Sequence, residues 1–313
     1  MRLNTAATIY VLLSVAAPAS AQVCSFSNTG INFGTLTVSS ANSTFSTGTI
    51  TANCTGSRNQ SITICPNIGS GTGGNDATAS LRYMTFGSEK IEYNLYQNNG
   101  AGKIWGSHIW PYSPRPPSMN VTLNNSGTGS TTNTLYAKMF SANVSGGIFS
   151  SVFSGGHTLF DYGYSTSFSC GATTSSRALS IPFTVQVNST GDCNISTTPM
   201  DFGTLTDLNV AIDATNSIAV TCTKGVQYSI SLSNGSSGGN SPTARKLKST
   251  ASLDTVTYGI YTNVGRTSPW GSNAVTGKGN GNASTFIGYG RIPAQTTPAP
   301  DSYSDNVIVT VAY

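Results

Sequence analysis

Charged side chains are scarce in this chain. They make up 8% of its 313 residues, against about 25% in an average soluble protein. The sequence has only two glutamates, Glu89 and Glu92, and only two histidines, His108 and His157. Glycosidases need two facing carboxylates, and a serine–histidine–aspartate triad needs a histidine beside its nucleophile. Neither arrangement is indicated, so we expect no enzymatic activity and no cofactor.

Basic clusters and metal-ligand spacings are also missing. The 15 Lys and Arg and the 11 Asp and Glu residues are scattered, and the net charge is +4. Because nucleic-acid binding depends on a basic patch, we expect no nucleic-acid partner. The cysteines form no CxxC pair, and the acidic residues form no cluster for a hard cation. The sequence therefore predicts no metal site.

No apolar run is long enough to span a bilayer. The longest one near the N-terminus, residues 6–17, is well short of the ~20 residues that a spanning helix needs. Arg2 precedes it, and Ala19-Ser20-Ala21 has the form of a cleavage site. We interpret residues 1–21 as a signal peptide and expect the mature, exported chain to begin at Gln22.

What replaces the missing charge is Gly, Ser, Thr and Asn, which favour short strands joined by turns. Apolar and polar residues alternate in segments 50–54, 61–65, 218–222 and 228–232. This pattern is typical of strands with one buried face, and no stretch has a sustained helical period. We predict an all-β protein made of β-sandwiches.

The chain contains an internal repeat, which divides it into two domains. Cys24 and Cys193 are each followed nine residues later by Phe-Gly-Thr-Leu, and a second cysteine follows at Cys54 and Cys222. A Tyr-x-x-Tyr segment lies twelve residues before a Trp-Gly-Ser segment in both copies. The second set of landmarks comprises Tyr93, Tyr96 and Trp105 in the first copy, and Tyr258, Tyr261 and Trp270 in the second. We predict domains at residues 22–187 and 193–313 with a polar linker, residues 188–192.

The six cysteines of the mature chain indicate disulfides, because their number is even and the chain is exported. The repeat suggests pairing Cys24 with Cys54 and Cys193 with Cys222. This leaves Cys65 and Cys170 for an extra bridge in the first domain.

Together these landmarks resemble the spore coat protein U domain, which is found in subunits of archaic, Csu-type chaperone–usher pili. The resemblance extends to Tyr-Gly-Arg-Ile-Pro at 289–293 and to the ending 303–313. The first copy departs from the pattern after Trp105. The resemblance implies an immunoglobulin-like sandwich that lacks one strand. A periplasmic chaperone fills the gap first, and the N-terminal arm of the adjacent pilin subunit fills it in the fibre, after passage through an outer-membrane usher.

The ending of the second copy supplies candidate residues for such a gap. Val307, Val309, Val311 and Tyr313 alternate, and we expect one face of this strand to line an apolar acceptor groove. The alternative is the last strand of a complete sandwich. Because Cys24 lies two residues after Gln22, we expect no free arm for donation. The resemblance then implies a tip adhesin, exported through the periplasm to the cell surface, which promotes biofilm formation.

The last apolar segment of the first domain has an open interpretation. Leu179, Ile181, Phe183, Val185 and Val187 alternate and are expected to bury one face. The segment is either the counterpart of the terminal strand of the second copy or an added strand that closes the first sandwich.

Two apolar segments of the first domain have no counterpart in the second. Trp105 matches Trp270 and is expected in the core, but Ile109, Trp110 and Tyr112 follow it in an insertion. A second insertion, residues 144–156, places bulky residues between glycines. Its members are Ile148, Phe149, Val152 and Phe153. These loops either cover the core or project as a patch that attaches to hydrophobic surfaces, as the resemblance implies for Csu-type tip adhesins.

Two other functions compete with hydrophobic attachment. Trp110 and Tyr112, with Asn98, Asn99 and His108 nearby in sequence, have the residue types of a lectin site that binds a host glycan. A purely structural coat or fibre subunit is the third possibility. Competition by one particular sugar distinguishes the lectin, and the absence of any binding by the first domain distinguishes the structural subunit.

Overall fold

The computed structural model describes residues 21–37, 43–110, 115–172 and 176–313. Tyr112 and the predicted signal peptide, apart from its last residue, lie outside these ranges. Strands dominate the described residues. A short 3₁₀ helix spans Gly155–Thr158. No helix in these ranges has the length and apolar character to cross a membrane.

The described residues of the first domain form twelve strands. They are β1 Val23–Asn28, β2 Ile31–Leu36, β3 Thr44–Thr55, β4 Ser61–Cys65, β5 Arg82–Phe86, β6 Glu89–Tyr96, β7 Met119–Thr122, β8 Thr128–Met139, β9 Gly147–Phe153, β10 Leu159–Tyr164, β11 Ser176–Leu179 and β12 Phe183–Ser189. An eight-stranded sheet has the order β1-β3-β8-β6-β5-β9-β12-β2, and a four-stranded sheet has the order β11-β10-β4-β7. The two sheets enclose one apolar core.

Nine strands form the second domain. They are β13 Cys193–Thr197, β14 Ile212–Cys222, β15 Gln227–Leu232, β16 Arg245–Ser249, β17 Thr255–Tyr261, β18 Val275–Lys278, β19 Ala283–Ile292, β20 Tyr303–Ser304 and β21 Val309–Ala312. One sheet has the order β13-β14-β19-β17-β16-β20 and the other the order β18-β15-β21. The predicted all-β fold with two tandem sandwiches is confirmed, and the four alternating segments lie in β3, β4, β14 and β15.

The strand registers confirm the internal repeat. Cys24 pairs with Cys54 across β1 and β3, and Cys193 pairs with Cys222 across β13 and β14. The second tyrosine of each Tyr-x-x-Tyr segment also has a matching partner: Tyr96 lies opposite Tyr136, as Tyr261 lies opposite Tyr289. Arg82 and Arg245 occupy equivalent positions, because they lie opposite Tyr93 and Tyr258.

All three predicted disulfides are confirmed. Cys24–Cys54 and Cys193–Cys222 join adjacent strands over separations of 30 and 29 residues. Cys65–Cys170 joins the end of β4 to the segment after β10 over a separation of 105 residues. The third bridge therefore restrains much more chain than the other two.

Trp105 and Trp270 are core residues, as predicted, and each is 1% exposed. Sequence reasoning did not find their partners, Arg82 and Arg245, which are fully buried. The Nη2 atom of Arg82 donates to the Trp105 carbonyl oxygen at 3.0 Å, and that of Arg245 to the Trp270 carbonyl oxygen at 2.8 Å. Because buried polar groups need partners, each guanidinium fixes the loop that carries its tryptophan.

Polar contacts connect the two domains. Lys224 Nζ lies 2.6 Å from Glu89 Oε1 of the first domain, and Asn143 Nδ2 of the first domain donates to the Asn280 carbonyl oxygen of the second at 3.0 Å. The hydrogen bond and charge of Lys224 lower the pKa of Glu89 below its ordinary value. β12 ends at Ser189, so it includes the first two residues of the segment predicted as a linker.

The prediction that the second insertion is a loop is wrong in part, because residues 147–153 form strand β9. β9 pairs with β12 over its whole length. Phe149 and Phe153 are fully buried in the core, whereas Ile148 and Val152 on the alternate face are 60% and 36% exposed. The alternation of a strand therefore separates these four residues into two core residues and two surface residues.

Candidate functional site

The strands of the two domains correspond to one another up to β10 in the first domain and β21 in the second. β9 pairs with β5 at Ser150 and Thr85, and β20 pairs with β16 at Ser304 and Lys248. Thr85 and Lys248 each lie three residues after the equivalent arginines, so Ser150 corresponds to Ser304. The next strands also match, since β10 pairs with β4 as β21 pairs with β15.

The first domain then adds two strands, β11 and β12. β12 lies between β9 and β2, antiparallel to the first and parallel to the second. Phe183, Val185 and Val187 point inward and are at most 4% exposed. The alternating segment is therefore an added closing strand. The expectation of one buried face is wrong for Leu179 and Ile181, because they precede β12 and are 57% and 60% exposed.

In the second domain the position equivalent to β12 is open. All residues from 193 onwards are described, and none of their strands lies between segments 200–208 and 301–307. A cavity of about 610 Å³ lies there, lined by both segments, and an adjoining cavity of about 390 Å³ extends it towards Val307. We call the space between these two segments the acceptor slot.

The exposure of the repeated Phe-Gly-Thr-Leu motif shows what the missing strand does. In the first domain Phe33 is 8% and Leu36 is 4% exposed under β12. In the second domain Phe202 is only half-buried, and Leu205 is 36% exposed. Apolar side chains that one domain buries thus remain in contact with solvent in the other, which costs about 25 cal/mol per Å².

Two of the four predicted groove residues line the slot, and the other two do not. Val307 and Val309 line the slot. Val311 packs half-buried against the core from β21, which pairs with β15 rather than facing an empty strand position. Tyr313 is 62% exposed, and its hydroxyl lies 3.3 Å from Asp192 Oδ1. The prediction that these residues line the acceptor groove is therefore wrong for Val311 and Tyr313.

Asp305 holds the wall of the slot in place. Its Oδ2 accepts a hydrogen bond from the Tyr258 hydroxyl at 2.7 Å, and its Oδ1 accepts from the backbone amides of Ser236 and Ser237. Burial and this hydrogen bond raise the pKa of Tyr258. The equivalent residue of the first domain is Ser151, whose hydroxyl accepts from the Gly73 amide at 3.1 Å. Sequence reasoning missed Asp305, because only the strand register reveals this equivalence.

The first insertion keeps part of its apolar surface exposed. Ile109 is 40% exposed. The Trp110 ring stacks on the His157 ring with centroids 4.5 Å apart, and its Nε1 donates to the Gly156 carbonyl oxygen at 3.0 Å. Trp110 is thus fixed against a neighbouring loop, half-exposed.

The residues of the predicted lectin site have other partners. Asn98 Oδ1 accepts from the Gly102 amide within one turn, and the backbone amide of His108 donates to Asn67 Oδ1. Burial lowers the pKa values of His108 and His157. No group of three His, Cys, Asp or Glu side chains suited to a metal ion occurs in the part of the chain that the structure describes.

Comparisons with known proteins agree with this architecture. The family model of the Spore Coat Protein U domain matches residues 9–153 and 179–310. The chaperone–tip adhesion subunit pre-assembly complex CsuC–CsuE, from archaic chaperone–usher Csu pili of Acinetobacter baumannii, has a similar fold. Its TM-score is 0.53 at 14% identity, over 93% of this chain and all of that chain. The CupB6 tip adhesin of Pseudomonas aeruginosa gives a TM-score of 0.39 at 12% identity, over 94% of this chain and 96% of that one. No curated protein matches the chain.

Proposed function

Because the chain belongs to the Spore Coat Protein U domain family, we propose that it is an adhesin subunit of a chaperone–usher pilus. One observation carries the proposal: the second domain has an open slot at the position that β12 fills in the first. We assign residues 22–187 to a binding domain and residues 193–313 to a pilin domain that joins the fibre, with the link at residues 188–192.

The acceptor slot needs a strand from another protein. An apolar groove beside an unpaired strand edge favours addition of an extended segment, whose backbone hydrogen bonds extend the sheet. We assign this segment first to a periplasmic chaperone and then to the adjacent pilin subunit, after delivery to an outer-membrane usher. The similarity of fold to a chaperone–tip adhesion subunit complex supports this order of partners.

We place the subunit at the tip of the pilus, on the cell surface. The first domain is closed by its own strand β12, with Val185 fully buried, and requires no strand from a neighbour. Its surface is therefore available for binding, while the second domain connects to the fibre. The role is attachment, as in biofilm formation, and requires no catalysis.

We propose that exposed apolar residues of the first domain attach to hydrophobic surfaces. Ile148 and Val152 lie on the outer face of β9, and Ile109 and Trp110 lie in the first insertion. Phe86, 47% exposed, adds to this apolar area, since its ring lies next to Gly147. Each contact is weak, and many fibres on one cell multiply such contacts by avidity.

Replacing Ile148 and Val152 with serine is expected to leave pilus assembly intact and to reduce attachment of cells to polystyrene by about tenfold. Removing two exposed side chains deletes apolar contact area without opening the core. Attached cells are counted against pili quantified on the same cells. The matched control is Thr184→Ser with Asn188→Ser, on the outer face of the neighbouring strand, which should attach normally.

Unchanged attachment by the Ile148→Ser and Val152→Ser variant would refute this assignment. The lectin alternative is tested in the same assay with simple sugars as competitors. Inhibition by one particular sugar would favour a glycan site near Trp110 and His157, whose stacked rings are the observation in its favour. Attachment that no sugar inhibits would favour the hydrophobic surface.

A further inference from the structure

Four aspartates line the larger cavity of the acceptor slot: Asp201, Asp207, Asp301 and Asp305. No lysine or arginine is among the residues that line the slot, although basic residues outnumber acidic ones in the chain. An apolar slot that is to receive a strand is thus bordered by charge of one sign.

The hydrogen-bond partners of Asp201, Asp207 and Asp301 are neutral and leave their charge uncompensated, whereas Asp305 interacts with the charge of the buried Arg245. Asp201 Oδ1 accepts from the Gly203 amide at 2.8 Å, and Asp207 Oδ1 accepts from the Asn209 amide at 3.0 Å. Asp301 accepts from the Thr250 hydroxyl and the Ala251 amide. Hydrogen bonds from Ser249 and the backbone lower its pKa, so it is ionised at neutral pH. None of the four belongs to a salt bridge between described residues.

The first domain provides an internal comparison. The positions equivalent to Asp201, Asp301 and Asp305 are neutral there: Asn32, Gly147 and Ser151. The strand that fills that slot, Phe183–Ser189, has no charged residue. A neutral strand is therefore paired with neutral walls. The acidic walls of the second domain predict, by charge complementarity, a strand that carries positive charge.

The register of β12 locates that charge. Gln186 pairs with Asn32, the equivalent of Asp201. Asn188 lies opposite Ile148, whereas Gly147, the equivalent of Asp301, lies opposite Ser189 on the other face of the sheet. The side chains of Gln186 and Asn188 point away from the core, whereas Phe183, Val185 and Val187 point into it.

We infer that the acceptor slot selects a cationic strand from the subunit that follows in the fibre. That strand has apolar residues at the positions of Phe183, Val185 and Val187, and lysine or arginine at that of Gln186. The inference rests on the proposed function, because it names the chemistry of the strand that completes the second domain. Attraction to the aspartates favours the correct partner over neutral or acidic segments.

Three peptides test this inference against the full mature chain. The first copies residues 183–189, the second carries Gln186→Lys, and the third carries Gln186→Glu. One partly exposed charge pair predicts that the lysine peptide binds about threefold more tightly than the neutral one. The glutamate peptide should bind most weakly, and raising the salt concentration should reduce the differences.

Variants of the chain assign the effect to the slot. Asp201→Asn should remove the preference for the lysine peptide, whereas the neutral peptide should bind as before. The control is Asp254→Asn, an exposed aspartate outside the slot, which should keep the preference. Equal binding of all three peptides would overturn the inference and leave strand addition intact. Binding of none of them would overturn both.

Discussion

The Val185→Asp substitution is expected to lower the free energy of unfolding of the first domain by about 4 kcal/mol or more. Val185 lies at the centre of β12 and is fully buried between the two sheets. An aspartate there either stays charged in the apolar core or expels β12. In the second case the first domain acquires the open slot that the second domain already has.

Hydrogen exchange resolved by peptide is the appropriate measurement, because it reads the stability of the two domains separately. Peptides of the first domain should lose protection, and those of the second domain should not change. Asn188→Asp is the matched control, since it places the same charge on an exposed position of the same strand. A first domain that tolerates aspartate at both positions would show that β12 does not close it.

Removing the Cys65–Cys170 disulfide by Cys65→Ala with Cys170→Ala is expected to cost the first domain about 4–5 kcal/mol in the chain-entropy model. The bridge closes a loop with a sequence separation of 105 residues. The segment that includes Cys170 also leads from β10 to the closing strand β12. Chemical denaturation under oxidising conditions measures the change.

The equivalent bridges of the two domains provide the comparison. Cys24→Ala with Cys54→Ala should cost about 3–4 kcal/mol, because that loop spans only 30 residues. The same cost is expected for Cys193 and Cys222 in the second domain. A smaller cost for the Cys65–Cys170 pair than for Cys24–Cys54 would contradict the ranking by loop length.

The repeat made much of the fold predictable. Matched landmarks assigned two of the three disulfides and placed Trp105 and Trp270 in the two cores, because equivalent residues of a duplicated domain have equivalent surroundings. The third disulfide followed because only Cys65 and Cys170 remained. Matched landmarks could not find Arg82 and Arg245. A single arginine has no period or motif, and its burial depends on backbone carbonyls that only the folded loops bring together.

The errors arose where apolar residues lie on both faces of a strand. In β9 the exposed Ile148 and Val152 alternate with the buried Phe149 and Phe153, so no polar positions marked the strand. Flanking glycines favoured the interpretation as a loop. At the C-terminus the alternation of Val307 to Tyr313 was real, but alternation does not identify the neighbouring strand. Strand pairing put the slot beside segment 301–307 instead.

The open slot of the second domain is the central claim, and a fusion that fills it in cis is its most direct test. A copy of residues 165–189, with Cys170→Ser, is fused after Tyr313 so that the first domain's connection and closing strand follow β21. The control fusion carries Val185→Asp and Val187→Asp in the copied segment. The measurement is the thermal unfolding temperature of the second domain, followed by the exchange of its amide hydrogens.

Burial of Phe202 and Leu205 under the added strand predicts an increase of about 10 °C or more over the unfused chain, and no increase in the control. An unfused second domain that is already as stable as the fusion would contradict the claim, because its sandwich would then be complete without a partner.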